Sequence, residues 1–295
     1  SSVTLNNTAV AITEENIGGT GDRITIKTLF DDTRRKQFGD GLEYIRRNIS
    51  GSFMDAYFGY QDFNNAIYGD KEETSYYVKL IRPLANSYMR WTYAFEASRH
   101  QTRNMYSRDS VYIAENRYSY NTFDVWGGLN VYASFLDKYV RGQRLRGLIG
   151  LRFLRHRFDV LPTKYRNMYN SNYADITGVL ASVSIFTQDF YKVQYIYGFG
   201  RSEDIPEGLS VGLTTGYTRK NELDRPYLGI KFERTYFTAK KRYLDFTVRM
   251  EGSFYKNDFE DITDLANVDF FNRMKTLVQW KQRTFLSAGI AWQLN

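Results

Sequence analysis

Residues 244–254 read LDFTVRMEGSF, in which Leu244, Phe246, Val248 and Met250 alternate with Asp245, Thr247, Arg249 and Glu251. The same two-residue period returns along the chain. Met89, Trp91, Tyr93, Phe95 and Ala97 alternate with Arg90, Thr92, Ala94, Glu96 and Ser98. Leu286, Ala288, Ile290, Trp292 and Leu294 alternate with Ser287, Gly289, Ala291 and Gln293. Alternation of this length marks β-strands with one oily and one wet face. It predicts strands near 22–30, 51–62, 74–82, 88–99, 118–135, 145–157, 175–187, 190–201, 208–219, 226–237, 242–255, 270–281 and 283–294. These are roughly thirteen segments of about ten residues, the length a tilted strand needs to cross a bilayer. The expected connections alternate between tight ones, such as Gln188-Asp189, and longer polar ones at 101–116, 158–174 and 256–268. A short helical turn is expected near 41–48, and an N-terminal extension over 1–21.

A single such strand leaves the position of the water open, because the oily face of a soluble sandwich strand meets a second sheet. The whole set favours a membrane. The polar faces are rich in Gly, Ser and Thr, which suit the inside of a barrel. Tyr191, Tyr217, Tyr227, Tyr236, Tyr243, Tyr255 and Trp292 fall near strand ends, where aromatic girdles lie. The expected fold is an all-β, antiparallel transmembrane β-barrel of about 12–16 strands, one domain over 1–295, in a bacterial outer membrane. Leu244, Phe246, Val248 and Met250 would then face lipid, and Asp245, Arg249 and Glu251 would line the lumen.

Composition sharpens this picture. Aromatic residues make up 17% of the 295, with 25 Tyr and 21 Phe, while Pro numbers 4 and Cys 0. Without Cys there is neither a disulfide framework nor a thiolate metal site. No apolar run approaches the length of a membrane-spanning helix, and the first residues lack the basic and apolar blocks of a signal peptide. Only two histidines occur, His100 in SRHQTRN and His156 in RFLRHRF, both read as solvated or phosphate-facing. No HExxH, P-loop or GxSxG motif is present. No enzyme, metal or cofactor is expected.

The formal charge is +7, and the stretch 140–159 carries Arg141, Arg144, Arg146, Arg152, Arg155 and Arg157. Arginines at an interface can grip lipid phosphates, but a solvated loop plus inward-facing strand charges is the expected reading. Nucleic acid is not an expected partner. The segment GFGRSEDIPEG (198–208) is expected to be a structured loop, with Arg201 and the acids Glu203 and Asp204 as an ion-pairing set; a plain hairpin turn is the alternative.

GFGRSEDIPEGLSVGLTTGY, followed by DRPYLGIKFER, resembles the barrel of BamA/TamA-like Omp85 (surface antigen D15) proteins, in the divergent form found in Bacteroidota. YYVKLIRPLANSYMRWTYAFEASR (76–99) looks like the strand, Arg-Pro-Leu, turn, Arg-Trp, strand section of the same group. The similarity covers residues 50–295 as an order of segments. It implies a barrel that inserts or translocates proteins or lipids, with outer-membrane lipids or lipopolysaccharide and other outer-membrane or periplasmic subunits as partners. The sequence departs from the family in its lid motif, since Val140-Arg141-Gly142 is followed by Gln143 and Leu145-Arg146-Gly147 by Leu148, neither of them aromatic. POTRA domains and a terminal aromatic are also missing from the stretch. The expectation is part of a barrel of about sixteen strands, cut before its closing strands, or else a complete barrel of twelve or fourteen. A passive pore, and a structural barrel subunit of a larger complex, remain the alternatives.

Overall fold

The computed structural model describes residues 7–67, 72–84, 89–132, 146–194, 196, 202–238, 240, 242–256 and 258–294. Fourteen strands form one antiparallel sheet. They are β1 (Asn7–Glu14), β2 (Arg23–Asp31), β3 (Phe38–Arg46), β4 (Asp55–Asn65), β5 (Glu72–Arg82), β6 (Trp91–Thr102), β7 (Ser119–Tyr132), β8 (Arg146–Val160), β9 (Ile176–Gln194), β10 (Ser202–Lys220), β11 (Leu223–Phe237), β12 (Tyr243–Tyr255), β13 (Asp258–Phe271) and β16 (Phe285–Leu294). Each strand pairs with the one before it, in the order β1 through β13 and then β16. A small hairpin of β14 (Lys275–Leu277) and β15 (Trp280–Gln282) interrupts the sequence. No helix among the described residues is long and apolar enough to cross a membrane.

The chain divides into two compact units. One comprises Ser1–Gly127, Arg152–Gly178 and Arg219–Leu223; the other comprises Gly128–Leu151, Val179–Thr218 and Asp224–Asn295.

Within both units the faces are inverted relative to a soluble sheet. Val248 and Met250 are 42% and 55% exposed, and Val10, Ile12, Ile26, Leu42, Phe58, Val78, Trp91, Val183, Leu213 and Ile230 lie open in the same way. The covered side is polar: among the described residues, seventeen polar or charged side chains are buried against twelve hydrophobic ones. A water-soluble domain buries its aliphatics and exposes its charges, so this sheet has its oily surface on the outside. Register enforces the inversion, because directly opposed residues share a face. Ile230↔Met250, Phe232↔Val248 and Arg234↔Phe246 form the outer row of β11–β12, while Lys231↔Arg249, Glu233↔Thr247 and Thr235↔Asp245 form the inner one.

Several expected boundaries are corrected. Asn7–Glu14, expected in an extension, is a strand in full register with β2. The helical turn expected near 41–48 is instead the end of β3, paired with both neighbours. Gln188-Asp189 is not a turn, since β9 runs through it. The polar loop expected at 256–268 is mostly β13, and much of the strand expected at 270–281 is the β14–β15 hairpin. The segment 202–208, expected in a loop, is the start of β10.

Candidate functional site

The inner face is where the sheet concentrates chemistry. In the first unit, Arg23 on β2 donates to Glu43 on β3 at 2.9 Å, and the Tyr77 hydroxyl on β5 donates to the same carboxylate at 2.7 Å. Tyr77 can do so only by crossing β4. Gly59 is opposite Glu43 on one side and Tyr77 on the other, and a Cβ there would stand 2.1 Å from the Tyr77 ring. Lys27 donates to Gln61 at 3.1 Å, and Lys79 pairs with Glu96 at 3.1 Å.

A second, more enclosed set lies at the end of this unit that carries the 32–37 and 103–118 connections. Arg34, its side chain fully buried, pairs with Glu72 at 2.8 Å and approaches the equally buried Asp62 at 3.9 Å. Asp62 accepts the Asp40 backbone N–H at 2.9 Å and meets Lys36 at 3.4 Å. Tyr106 donates to Glu72 at 2.5 Å; burial and that carboxylate together push its hydroxyl above the ordinary tyrosine range. Arg35 ties the same connection down through Asp109 at 2.7 Å and the Ser107 carbonyl at 2.7 Å.

Both histidines are placed differently from expectation: they are inward and packed, not solvated. Glu73 accepts from His100 Nδ1 at 2.7 Å, from Tyr118 at 3.0 Å and from Tyr120 at 3.1 Å. His100 stacks on Tyr120 with centroids 4.5 Å apart, and its Nε2 lies 3.0 Å from Ser98 Oγ. His156 packs on Tyr120 and Phe158 at 4.5 and 4.9 Å. The order Ser98, His100, Glu73 is that of a hydrolase relay. However, Ser98 is only 9% exposed and two tyrosine hydroxyls already occupy the Glu73 carboxylate. The set acts as a polar clamp across β5, β6 and β7. Among the described residues, no three His, Asp or Glu side chains converge on a metal-sized site.

The second unit holds the acids and arginine singled out from LDFTVRMEGSF. Arg249 forks onto Glu251 at 2.7–3.0 Å, and Tyr227 donates to Glu251 at 2.6 Å. Glu251 is opposite Gly229, so a tyrosine again leans past a glycine to reach a glutamate. Asp245 accepts from Thr235 at 2.8 Å. Leu244, Phe246, Val248 and Met250 share the opposite, outer face. The sequence reading missed Arg225, whose buried guanidinium binds Glu260 at 3.0 Å and Asp261 at 2.6 Å. Asp261 is at φ 52°, where β13 takes one extra residue against β12; Arg225 therefore pins a β-bulge.

Of the expected loop set, Glu203 accepts the Ile196 N–H at 2.8 Å. Arg201 and the Asp204 side chain lie outside the described residues, as do Arg141 and Arg144. No family model, curated protein or solved structure matches the chain.

Proposed function

We propose that this chain is the strand array of an outer-membrane β-barrel of the Omp85 type, acting without enzymatic chemistry in the insertion or translocation of outer-membrane proteins. The observation that carries the membrane part is the inversion of faces within each unit: exposed oily rows on one side of the strands and paired charges on the other. In hydrocarbon such a sheet satisfies its backbone internally and keeps its ions on the watered side. The bilayer leaves no edge unpaired, so β1 and β16 must each gain a second neighbour in the membrane.

The assignment to Omp85 rests on the resemblance of 76–99 and of the stretch ending in DRPYLGIKFER. Residues 76–82 and 91–99 lie on adjacent antiparallel strands, and Arg225 of the second segment is buried against Glu260 and Asp261; the reading is compatible with both. Outer-membrane lipids and other envelope subunits are the partners on this reading.

The test is reconstitution of the folded chain in lipid vesicles. An assembly barrel should accelerate insertion of an unfolded outer-membrane protein and conduct little. Steady, large single-channel conductance without that acceleration would make it a passive pore instead.

A further inference from the structure

On the outer face of β6, β7 and β8, charge appears where the oily strand face ends. Asn121, Phe123, Phe153, Arg155, Arg157 and Asp159 line a cavity of about 450 Å³, close to the 103–118 and 161–175 connections. Arg99 borders it, reaching Asn121 at 3.4 Å and Asp159 at 3.5 Å, and the Asn121 amide also donates to Asp159. The patch therefore carries three arginines and one carboxylate, and that carboxylate pairs with Arg99. Arg155 and Arg157 are exposed and have no hydrogen-bond or ion-pair partner among the described residues.

Further from the connections the same face becomes aromatic and then aliphatic. Phe95 packs edge-on to Phe123 at 5.4 Å, and Phe123 packs edge-on to Phe153 at 6.0 Å. Val125, the next outward residue of β7, is open. Beside this ladder runs an apolar groove of about 690 Å³, lined by residues including Tyr60, Tyr76 and Val78, which reaches Arg99 and Asn121.

We propose that this patch holds the anionic phosphate headgroup of a membrane lipid, with an acyl chain lying in the groove. The inference rests on the membrane reading above. Arginine on a lipid-facing surface is costly at the midplane and tolerated at headgroup level, which fixes the depth of the patch. Planar guanidinium forks suit phosphate oxygens bidentately. The order of charge, aromatic ring and aliphatic side chain follows the bilayer's own profile. Asp159 orients Arg99 and leaves Arg155 and Arg157 to meet the anion.

The experiment counts lipids retained by the folded full chain in mixed micelles, by native mass spectrometry, with phosphatidylglycerol and phosphatidylcholine of equal chain length as probes. The wild type should prefer phosphatidylglycerol by about tenfold or more. R155Q/R157Q should lose most of this preference, and R166Q, in the 161–175 connection, should keep it. If R155Q/R157Q does not fold, as judged by heat-modifiable gel mobility, R155K/R157K replaces it. That variant keeps the charge but not the fork, and a weakened preference supports the site. Equal preference in wild type and variant overturns the proposal, as does displacement of the lipid by millimolar inorganic phosphate, which would indicate a free-anion site. Insertion without any anionic preference removes the patch and leaves the membrane reading standing; dispersal of the chain without detergent removes both.

Discussion

Single residues carry the inversion of faces, and single substitutions test it. Val248 points out and Thr247 points in, opposite Glu233. Val248→Arg should destabilise the inserted protein by about 2–4 kcal/mol if it lies near the midplane, whereas Thr247→Arg should be tolerated. Urea titration in vesicles measures both, and equal effects would mean that the faces are wrongly assigned. Gly59 is a second critical point, because any Cβ there collides with the Tyr77 ring that crosses to Glu43. Gly59→Ala should cost about 1–3 kcal/mol as an overpacked site, with part recovered when Tyr77→Leu is added; absence of recovery would place the strain elsewhere. Arg34→Met should be harsher, at about 3–5 kcal/mol, because it removes the buried guanidinium from Glu72 and Asp62 and leaves Glu72 with the Tyr106 hydroxyl and Asp62 with Lys36 and the Asp40 N–H.

At the scale of elements, the outcome shows what alternation can and cannot reveal. Strands β5, β6 and β12 were legible because each carries an oily run (Tyr76-Val78-Leu80, Trp91-Tyr93-Phe95-Ala97, Leu244-Phe246-Val248-Met250) against a more polar row. β13 was hidden: in DFEDITDLANVDFF the bulge at Asp261 shifts the pattern, Asp264 falls in the outer row and Leu265 in the inner. β3 was hidden by Gly39, Gly41 and Asp40, which lower strand propensity even though Gly39 is needed to clear Arg34. β9 was split because Gln188-Asp189 has turn-like polarity, yet the strand runs on. That Asp245, Arg249 and Glu251 share one face of β12 was legible from period alone. The Tyr77–Gly59–Glu43 crossing, the Glu73 clamp and the Arg225 anchor were not, since each joins residues whose proximity only the sheet register creates. A glycine inside a strand was the one available hint.

The 103–111 segment offers a test at the same scale. Arg35 first, and then Asn104, hold the Asp109 carboxyl below its ordinary range. A depressed carboxylate pKa means the tether is complete above the ordinary aspartate value of about 3.9 and is lost as pH falls through the lowered value. Amide exchange of 103–111 should therefore stay flat from neutral pH down to about 4 and then rise, beyond the intrinsic rate change. Asp109→Asn should exchange faster already at neutral pH; if it matches the wild type there, the tether does not hold the segment.

For the whole molecule, the proposed function requires that the oily surface of the sheet meet lipid and its ions meet water. Because the chain has no cysteine, its faces can be read one position at a time. Single cysteines placed at each residue from 244 to 251, in the protein refolded into vesicles, should react with a membrane-impermeant maleimide in strict alternation. Positions 245, 247, 249 and 251 should label, while 244, 246, 248 and 250 should be shielded and should be quenched by nitroxide-bearing lipids. Uniform aqueous labelling of all eight positions, or the opposite phase, would contradict a lipid-facing outer surface and the function built on it.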